Sequence, residues 1–253
     1  ISRVFSTGAA LIPQTAAYLD DFSAAAYLDC STTLPKPMGH EVAGILKTYC
    51  TKRVALVALG VGDAALACTI AQHLEAQVSL ADVSLPLLAT ASAKLRDAGC
   101  AIDIAYQCDL TQPLTVEIRA SWLQQSVFLL DCTLEDFDDI SWYLRYCLKP
   151  ITSPGDMLVV RIGTVLSPCS KARWLEGVLS RYCRDGGPVV FDSPTRGADR
   201  STCHAIATIP DSRGGLRRIS LYRHVVFRQK RLWRLVAAHG WLFRGAVVGT
   251  NSD

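Results

Sequence analysis

Short apolar runs alternate with segments of helical periodicity along most of the 253-residue chain. A continuous apolar run such as 54–59 is typical of a strand that is buried on both faces of a parallel sheet. The segments between such runs repeat apolar residues at helical spacing or, as at 63–75, are rich in alanine. Strands that alternate with helices in this way favour a parallel sheet with right-handed crossovers. Five strands are predicted on this basis, at 54–59, 77–82, 101–106, 126–131 and 157–162.

The remaining segments complete one large domain with two appendages. Two further short strands are predicted at 188–191 and 203–209, and the last segment is predicted as a strand at 219–227 followed by a helix at 229–239. We therefore expect an α/β fold with a doubly wound, mostly parallel, seven-stranded sheet. The predicted organisation is a helical N-terminal lead-in at 1–52, the sheet domain at 53–209 and a C-terminal extension at 210–253.

Composition narrows the class of protein. Half of the residues are hydrophobic and 19% are charged, which excludes a disordered or low-complexity chain. The ten cysteines include no C-x-x-C pair and mostly lie in apolar runs, so we expect free thiols in a reducing, cytoplasmic compartment. The apolar window 54–71 contains Asp63 and two glycines, so no membrane span is expected. A first residue other than methionine, Ile1, suggests a domain or processed product of a longer protein.

Glycine and acidic residues recur where the predicted strands end. The first strand ends in a glycine turn at 59–63, where glycine lets the backbone turn tightly and approach a ligand closely. The carboxyl ends of parallel strands meet at one edge of the sheet, which is where such folds bind ligands. A carboxylate after the second strand can accept hydrogen bonds from the ribose of an adenosine. Acidic residues follow the second, third and fourth strands, at Asp82, Asp109 and Asp131.

The same residues have structural alternatives. A G-x-G turn also connects strands to helices without any ligand. Asp82, with Ser84 close behind it, could serve only as a helix cap, and Asp63 could stabilise a helix N-terminus through the helix dipole. The joint occurrence of the turn and the three acids at one edge favours a cofactor site.

At these residues the sequence resembles the class I S-adenosylmethionine-dependent methyltransferases. The matching stretches are 57–63, 80–84, 108–110, 129–132 and 144–160, and the resemblance covers about residues 40–208. It implies a Rossmann-like fold with S-adenosylmethionine as cofactor: the glycine turn at its methionine part, the acid after strand two at the ribose and the acid after strand three at the adenine. The residues implied for the cofactor are Gly60, Gly62, Asp63, Asp82, Val83, Asp109, Leu110 and Asp131, the last of which would face the methyl group.

A dinucleotide-binding dehydrogenase is the competing class on fold grounds. Its fingerprint requires a third glycine near position 65, where helix and strand pack closely. Residues 64–66 are Ala-Ala-Leu, and this departure, together with a last pair of predicted strands that looks antiparallel, favours the methyltransferase.

A second resemblance concerns the methyl acceptor. The RNA ribose 2'-O-methyltransferases, including cap-modifying enzymes of RNA viruses, carry a lysine–aspartate–lysine–glutamate tetrad. Lys47 and Asp131 match its first two members, Arg161 stands at the second lysine, and the glutamate has no counterpart. Because arginine stays protonated, Arg161 cannot be a general base. Either the acceptor is not a ribose hydroxyl, or the chemistry has been lost and the fold is kept for binding.

A basic segment at 213–244 holds nine lysine and arginine residues and no acidic residue, although the net charge is only +3. Clustered basic residues neutralise phosphates, so we predict RNA contacts by Arg217, Arg218 and Arg223. A solvated or protein-docking segment is the alternative. Three functions follow: an RNA methyltransferase, as in the capping or replication protein of a virus, acting beside other domains of a larger protein; an inactive methyltransferase-like domain; or a methyltransferase of small molecules or proteins.

Overall fold

The computed structural model describes residues 39–50, 53–119, 124–131, 133–134, 137, 139–162, 190–196, 201–210, 216–226 and 229–247. Within these ranges no helix has both the length and the apolar composition needed to cross a membrane. The elements of the first half are α1 (Gly39–Tyr49), β1 (Ala55–Leu59), α2 (Ala65–Leu74), β2 (Gln77–Asp82), α3 (Leu85–Asp97), β3 (Ile102–Gln107) and β4 (Ser126–Asp131). They are followed by α4 (Ile140–Trp142), which continues as a π-helical turn (Tyr143–Leu148) and a 3-10 turn (Lys149–Ile151), and by β5 (Met157–Arg161), β6 (Val190–Arg196), β7 (Ser201–Pro210), β8 (Leu216–Val226) and α5 (Gln229–Ala238).

Five strands form a parallel sheet in the order β3-β2-β1-β4-β5. Ala55 at the start of β1 is in register with Gln77 of β2 on one side and with Ser126 of β4 on the other. The chain therefore winds outward from β1 in one direction and then crosses to β4, so that the strand order reverses beside β1. This confirms the predicted doubly wound parallel fold, in which the carboxyl ends of β1 and its neighbours border the ligand-binding crevice.

Strand β1 is buried along its whole length because both faces of the sheet are covered. Leu56 and Ala58 belong to an apolar cluster formed with α2 and α3, whereas Val57 and Leu59 belong to a second cluster formed with α4. Alternate side chains of a strand point to opposite faces, so a strand between two helical layers must be apolar at every position. The continuous apolar run of the sequence reflects this three-layer arrangement.

The C-terminal helix α5 packs on the same face as α4. Leu232 is buried in the second cluster, where Leu235 and Val236 pack partly buried against it. A hydrogen bond of 2.8 Å joins the His239 imidazole to Ser141 Oγ at the start of α4. Part of the predicted extension therefore contributes to the hydrophobic core beside the parallel sheet.

The last three strands form a separate antiparallel sheet in the order β6-β7-β8. The strands predicted at 188–191 and 203–209 correspond to β6 and β7, but they do not extend the parallel sheet, which has five strands among the described residues instead of the predicted seven. Only residues 197–200 separate β6 from β7, whereas parallel neighbours need a crossover of about a dozen residues or more. Arg217, Arg218 and Arg223 lie on β8, in register with residues of β7.

A buried ion pair fastens the amino-terminal edge of the parallel sheet. Both terminal guanidinium nitrogens of Arg119, Nη1 and Nη2, donate to the Asp156 carboxylate. The two side chains are only 1% and 2% exposed. The guanidinium also donates to the carbonyl oxygens of Ile151 and Gln124. The carboxylate accepts the N–H of Ser126, the first residue of β4, at 2.8 Å. One ion pair thus ties the entry of β4 to the turn that precedes β5.

Candidate functional site

The glycine turn after β1 has the conformation that its sequence requires. Gly60 and Gly62 have φ values of +76° and +47°, in the left-handed region that glycine adopts without steric cost. A Cβ atom at Gly60 would lie 2.7 Å from Thr133 Cγ2 and closer still to Thr133 Oγ1. Gly60 is therefore fixed both by its backbone conformation and by its close approach to the loop after β4. Ala64 also has a positive φ, +54°, although it carries a side chain.

Asp82 joins the carboxyl ends of β1 and β2. One carboxylate oxygen accepts the N–H of Val61 in the glycine turn at 2.8 Å, and the other accepts the N–H of Ser84 at 2.9 Å. The residue is 6% exposed. A carboxylate offers about four lone-pair directions, of which these two bonds use two. Asp82 can therefore order the glycine turn and still accept hydrogen bonds from a ligand.

The ionisation of Asp82 is costly for the fold. Burial raises the pKa of Asp82 to about 6, although the backbone N–H groups of Ser84, Val61, Val83 and Gly62 act in the opposite direction. A raised carboxyl pKa means that the folded protein retains a proton which the unfolded chain releases between the ordinary value of 3.8 and about 6. The contribution of this group to stability is therefore present below that window and is lost as the pH rises through it. A buried carboxylate that lowers stability at neutral pH is typical of a functional site.

Asp63, predicted as a cofactor residue, makes contacts of the structural kind. Its Oδ1 accepts the N–H of Ala65 at 3.1 Å, at the start of α2. Lys94 of α3 lies 3.5 Å from Asp63 Oδ2 and donates to the Asp63 carbonyl oxygen at 2.8 Å. These bonds place the Asp63 carboxylate at the N-terminus of α2, as the helix-dipole alternative requires, and fasten the glycine turn to α3. Sequence reasoning missed Lys94 because nothing in its helical spacing distinguishes it from a solvated lysine.

The ends of β2 and β3 meet around Cys108. Burial, together with the nearby charges of Asp82 and Asp109, raises the pKa of the Cys108 thiol to about 12. Asp109 Oδ1 accepts the backbone N–H of Thr111 at 2.8 Å and the Thr111 hydroxyl at 2.7 Å, while Leu110 is buried in the second apolar cluster. The predicted adenine-side residues thus lie beside Asp82, and Cys108 is a protonated, inert thiol at neutral pH.

The three predicted catalytic residues separate into a pair and an outlier. Asp131 and Arg161 are register neighbours on β4 and β5, and Arg161 Nε forms an ion pair with Asp131 Oδ1. Lys47 is exposed in the last turn of α1. Among the described contacts no ion pair joins Lys47 to either of the other two. The structure therefore brings together Asp131 and Arg161 at the carboxyl edge of the sheet.

Thr133 is a further residue that sequence reasoning missed. Its hydroxyl donates to the Leu59 carbonyl oxygen at 3.0 Å, and its side chain occupies the space that a Cβ at Gly60 would need. The contact joins residues 74 positions apart, so no local pattern indicates it. Thr133 holds the loop after β4 against the glycine turn.

Comparisons with known proteins place this geometry in a known fold. No protein-family model matches the sequence, and no curated protein sequence matches it significantly. Among solved structures, the chain is similar to the CcbJ methyltransferase from Streptomyces caelestis, with 18% identity, a TM-score of 0.53, and coverage of 91% of this chain and 88% of that one. It is also similar to a protein from Pyrococcus horikoshii OT3, with 10% identity, a TM-score of 0.51, and coverage of 79% and 80%. The chain thus has an α/β, Rossmann-like fold that it shares with a methyltransferase.

Proposed function

We propose that this protein is an S-adenosylmethionine-dependent methyltransferase. The observation that carries the proposal is Asp82, a buried carboxylate that is held by backbone N–H groups at the end of β2 beside a left-handed glycine turn. Its remaining lone pairs fit the two hydroxyls of a ribose. The fold shared with the CcbJ methyltransferase supports the same cofactor class.

Different residues around the crevice contact different parts of the cofactor. Gly60 and Gly62 let the backbone approach the methionine part of the cofactor, and Asp109 with Leu110 borders the adenine. Methyl transfer from a sulfonium needs an aligned nucleophile more than covalent help from the protein. Asp131, held by Arg161, stands at the edge where the acceptor would be placed. Arginine cannot remove a proton from the acceptor, so Arg161 acts by charge and orientation.

Replacing Asp82 with Ala is expected to weaken binding of S-adenosylhomocysteine by about tenfold or more, because two charge-assisted hydrogen bonds of about 1.5 kcal/mol or more each are lost. Calorimetry measures the affinity. The 2'-deoxyribose analogue distinguishes a direct contact from disorder of the glycine turn. If Asp82 contacts the ribose, the losses of binding free energy caused by Asp82→Ala and by the missing hydroxyl should overlap. Fully additive losses would show that Asp82 does not contact the ribose.

Two results would change the proposed function itself. Absence of cofactor binding by the intact protein contradicts a methyltransferase. Cofactor binding without methyl transfer to any acceptor tested supports the inactive methyltransferase-like domain, in which the Asp131–Arg161 ion pair has only a structural role.

For the acceptor we propose RNA, on the strength of the basic segment. Within it, the Arg234 and Arg244 side chains are exposed, and the rings of Trp233 and Phe243, 40% and 60% exposed, lie 4.7 Å apart. Exposed basic and aromatic groups together are typical of single-stranded nucleic-acid binding, in which cations contact phosphates and rings stack on bases. A small-molecule or protein acceptor is the alternative.

If about four basic residues contact phosphates, the slope of log affinity against log salt should be near −3 for single-stranded RNA. Replacing Arg217, Arg218 and Arg223 together with Gln should flatten this slope by roughly two units while cofactor affinity is preserved. Fluorescence anisotropy with a labelled oligonucleotide measures it. Gln at the three exposed arginines Arg53, Arg96 and Arg145 controls for the same change in net charge. A weak slope in the parent protein, or one unchanged in the triple variant, would favour a different acceptor.

We also propose a reducing, cytoplasmic location. Cys50, Cys68, Cys100, Cys108 and Cys147 are all free thiols. Free cysteines, of which Cys147 is buried and the other four are partly buried, suit a compartment in which thiols stay reduced.

A further inference from the structure

Two histidines meet on the layer of helices next to β1. His40 lies at the start of α1 and His73 in the last turn of α2. His40 Nδ1 and His73 Nε2 are 3.0 Å apart, and the ring centroids are separated by 4.6 Å at an interplanar angle of 68°. Both side chains are exposed. The two nitrogens therefore form a pair that is open to solvent.

The second nitrogen of His73 fixes the state of its ring. His73 Nδ1 lies 3.1 Å from the Thr69 carbonyl oxygen. Since a carbonyl oxygen can only accept, His73 Nδ1 carries the proton, and the Nε2 of the neutral ring presents its lone pair towards His40. A histidine that donates its other N–H to a backbone carbonyl has the outer-shell arrangement found at metal-ligating histidines, which fixes the tautomer and the ring orientation.

The backbones that carry the pair are held rigidly together. Gly39, the residue before His40, packs so closely on α2 that a Cβ there would lie 2.7 Å from Thr69 Cβ and Cγ2. Thr69 is also the residue whose carbonyl oxygen accepts from His73. The same close helix contact thus fixes the separation of the two rings and orients one of them.

We propose that His40 and His73 form a binding site for a divalent transition-metal ion of the Cu²⁺ or Ni²⁺ type. With metal–nitrogen distances of about 2.0–2.1 Å, two nitrogens 3.0 Å apart subtend an angle of roughly 91–97° at the metal. This is the angle between neighbouring ligands in square-planar or tetragonal geometry, and it is narrower than a tetrahedral Zn²⁺ site requires. To present both lone pairs to the ion, the His40 ring must move its proton from Nδ1 to Nε2, and the two exposed rings must turn from each other towards the ion.

Water would complete the coordination shell. Among the described residues no group of three or more His, Cys, Asp or Glu side chains is arranged to hold a metal, so this part of the chain supplies two ligands. The exposure of both rings leaves room for water at the other positions. A bound ion would cross-link α1 to α2, the helix that follows the glycine turn. This inference does not depend on the proposed function.

Calorimetric titration with NiCl₂ in a non-chelating buffer tests the site. The parent protein should bind one Ni²⁺, and His73→Gln or His40→Gln should each weaken binding by at least roughly tenfold, since even outer-shell changes weaken metal binding 10–100-fold. His239→Gln is the matched control, because His239 is bonded to Ser141 away from the pair, and its nickel affinity should be unchanged. Far-UV circular dichroism checks that each variant is folded.

A second measurement identifies the ligand atoms. In ¹⁵N-resolved NMR spectra of the histidine rings, Ni²⁺ should broaden His73 Nε2 and His40 Nδ1 before the ring nitrogens of His239. Nickel binding that both variants leave unchanged, or a thiolate-to-nickel charge-transfer absorption, would assign the ion to other residues. Absence of binding by the parent protein would show that the two rings form only a hydrogen bond.

Discussion

Replacing Asp156 with Ala is expected to lower the free energy of unfolding by about 3–5 kcal/mol. The substitution leaves the Arg119 guanidinium charged and unpaired where its side chain is 1% exposed. It also removes the acceptor of the Ser126 and Ser153 N–H groups. A buried charge that loses its partner retains its whole desolvation cost. Removing one partner therefore lowers the free energy of unfolding more than replacing both partners with apolar side chains. Urea unfolding followed by circular dichroism measures the loss.

The double variant Arg119→Met/Asp156→Ala should recover part of that loss, because it removes the unpaired charge and fills the space with an apolar side chain. Lys94→Met is the matched control at an exposed ion pair, where the two side chains are 43% and 24% exposed. Its cost should stay below about 1 kcal/mol, as is usual for surface ion pairs. Equal losses at the two pairs would contradict the buried role of Arg119 and Asp156.

The parallel sheet could be predicted because its strands are buried on both faces. A strand such as β1 must be apolar at every position, so its run is visible in the sequence and its bounds agree with the prediction to within one residue. The ion pair of Arg119 and Asp156 has no such signal, since the two residues are 37 positions apart. The sequence also does not predict where α4 starts. The sequence predicts a helix over 136–148. Among the described residues the helix starts at Ile140, where Asp139 caps it by accepting the Trp142 N–H.

The candidate site divides in the same way. The carboxyl ends of parallel strands meet at one edge of the sheet. The sequence therefore predicts that this edge is bordered by Asp82, Asp109 and Asp131. Which atoms they contact depends on the packing of segments that are distant in sequence. Asp82 accepts the N–H of Val61, and Asp131 forms an ion pair with Arg161. The antiparallel pairing of β6 with β7 agrees with the prediction, but their separation from the parallel sheet has no signal in the sequence, because apolar runs indicate strands and not their neighbours.

Replacing Gly60 with Ala is expected to lower the free energy of unfolding by about 2–5 kcal/mol and to weaken cofactor binding. A left-handed backbone costs a residue with a side chain about 1–2 kcal/mol, and φ at Gly60 is +76°. Overlap of the new methyl group with Thr133 adds about 1–3 kcal/mol, because either the side chain or the loop after β4 must move. Urea unfolding and calorimetry with S-adenosylhomocysteine measure the two effects.

A second glycine separates the two causes of this loss. Gly99, after α3, has almost the same φ, +75°, but a Cβ there would meet no atom within 4 Å. Gly99→Ala should therefore show only the backbone cost of about 1–2 kcal/mol and leave cofactor affinity unchanged. Thr133→Ala, which loses the hydroxyl that donates to the carbonyl oxygens of Leu59 and Asp131, should cost about 1 kcal/mol by itself. In Gly60→Ala/Thr133→Ala the two closest contacts are removed and only the Cβ of residue 133, at 3.1 Å, still crowds the new methyl group. The double variant should therefore be more stable than the sum of the single losses predicts. If the losses in the free energy of unfolding are strictly additive, Thr133 does not restrict Gly60. If Gly60→Ala and Gly99→Ala cause equal losses, the backbone conformation is the whole cause.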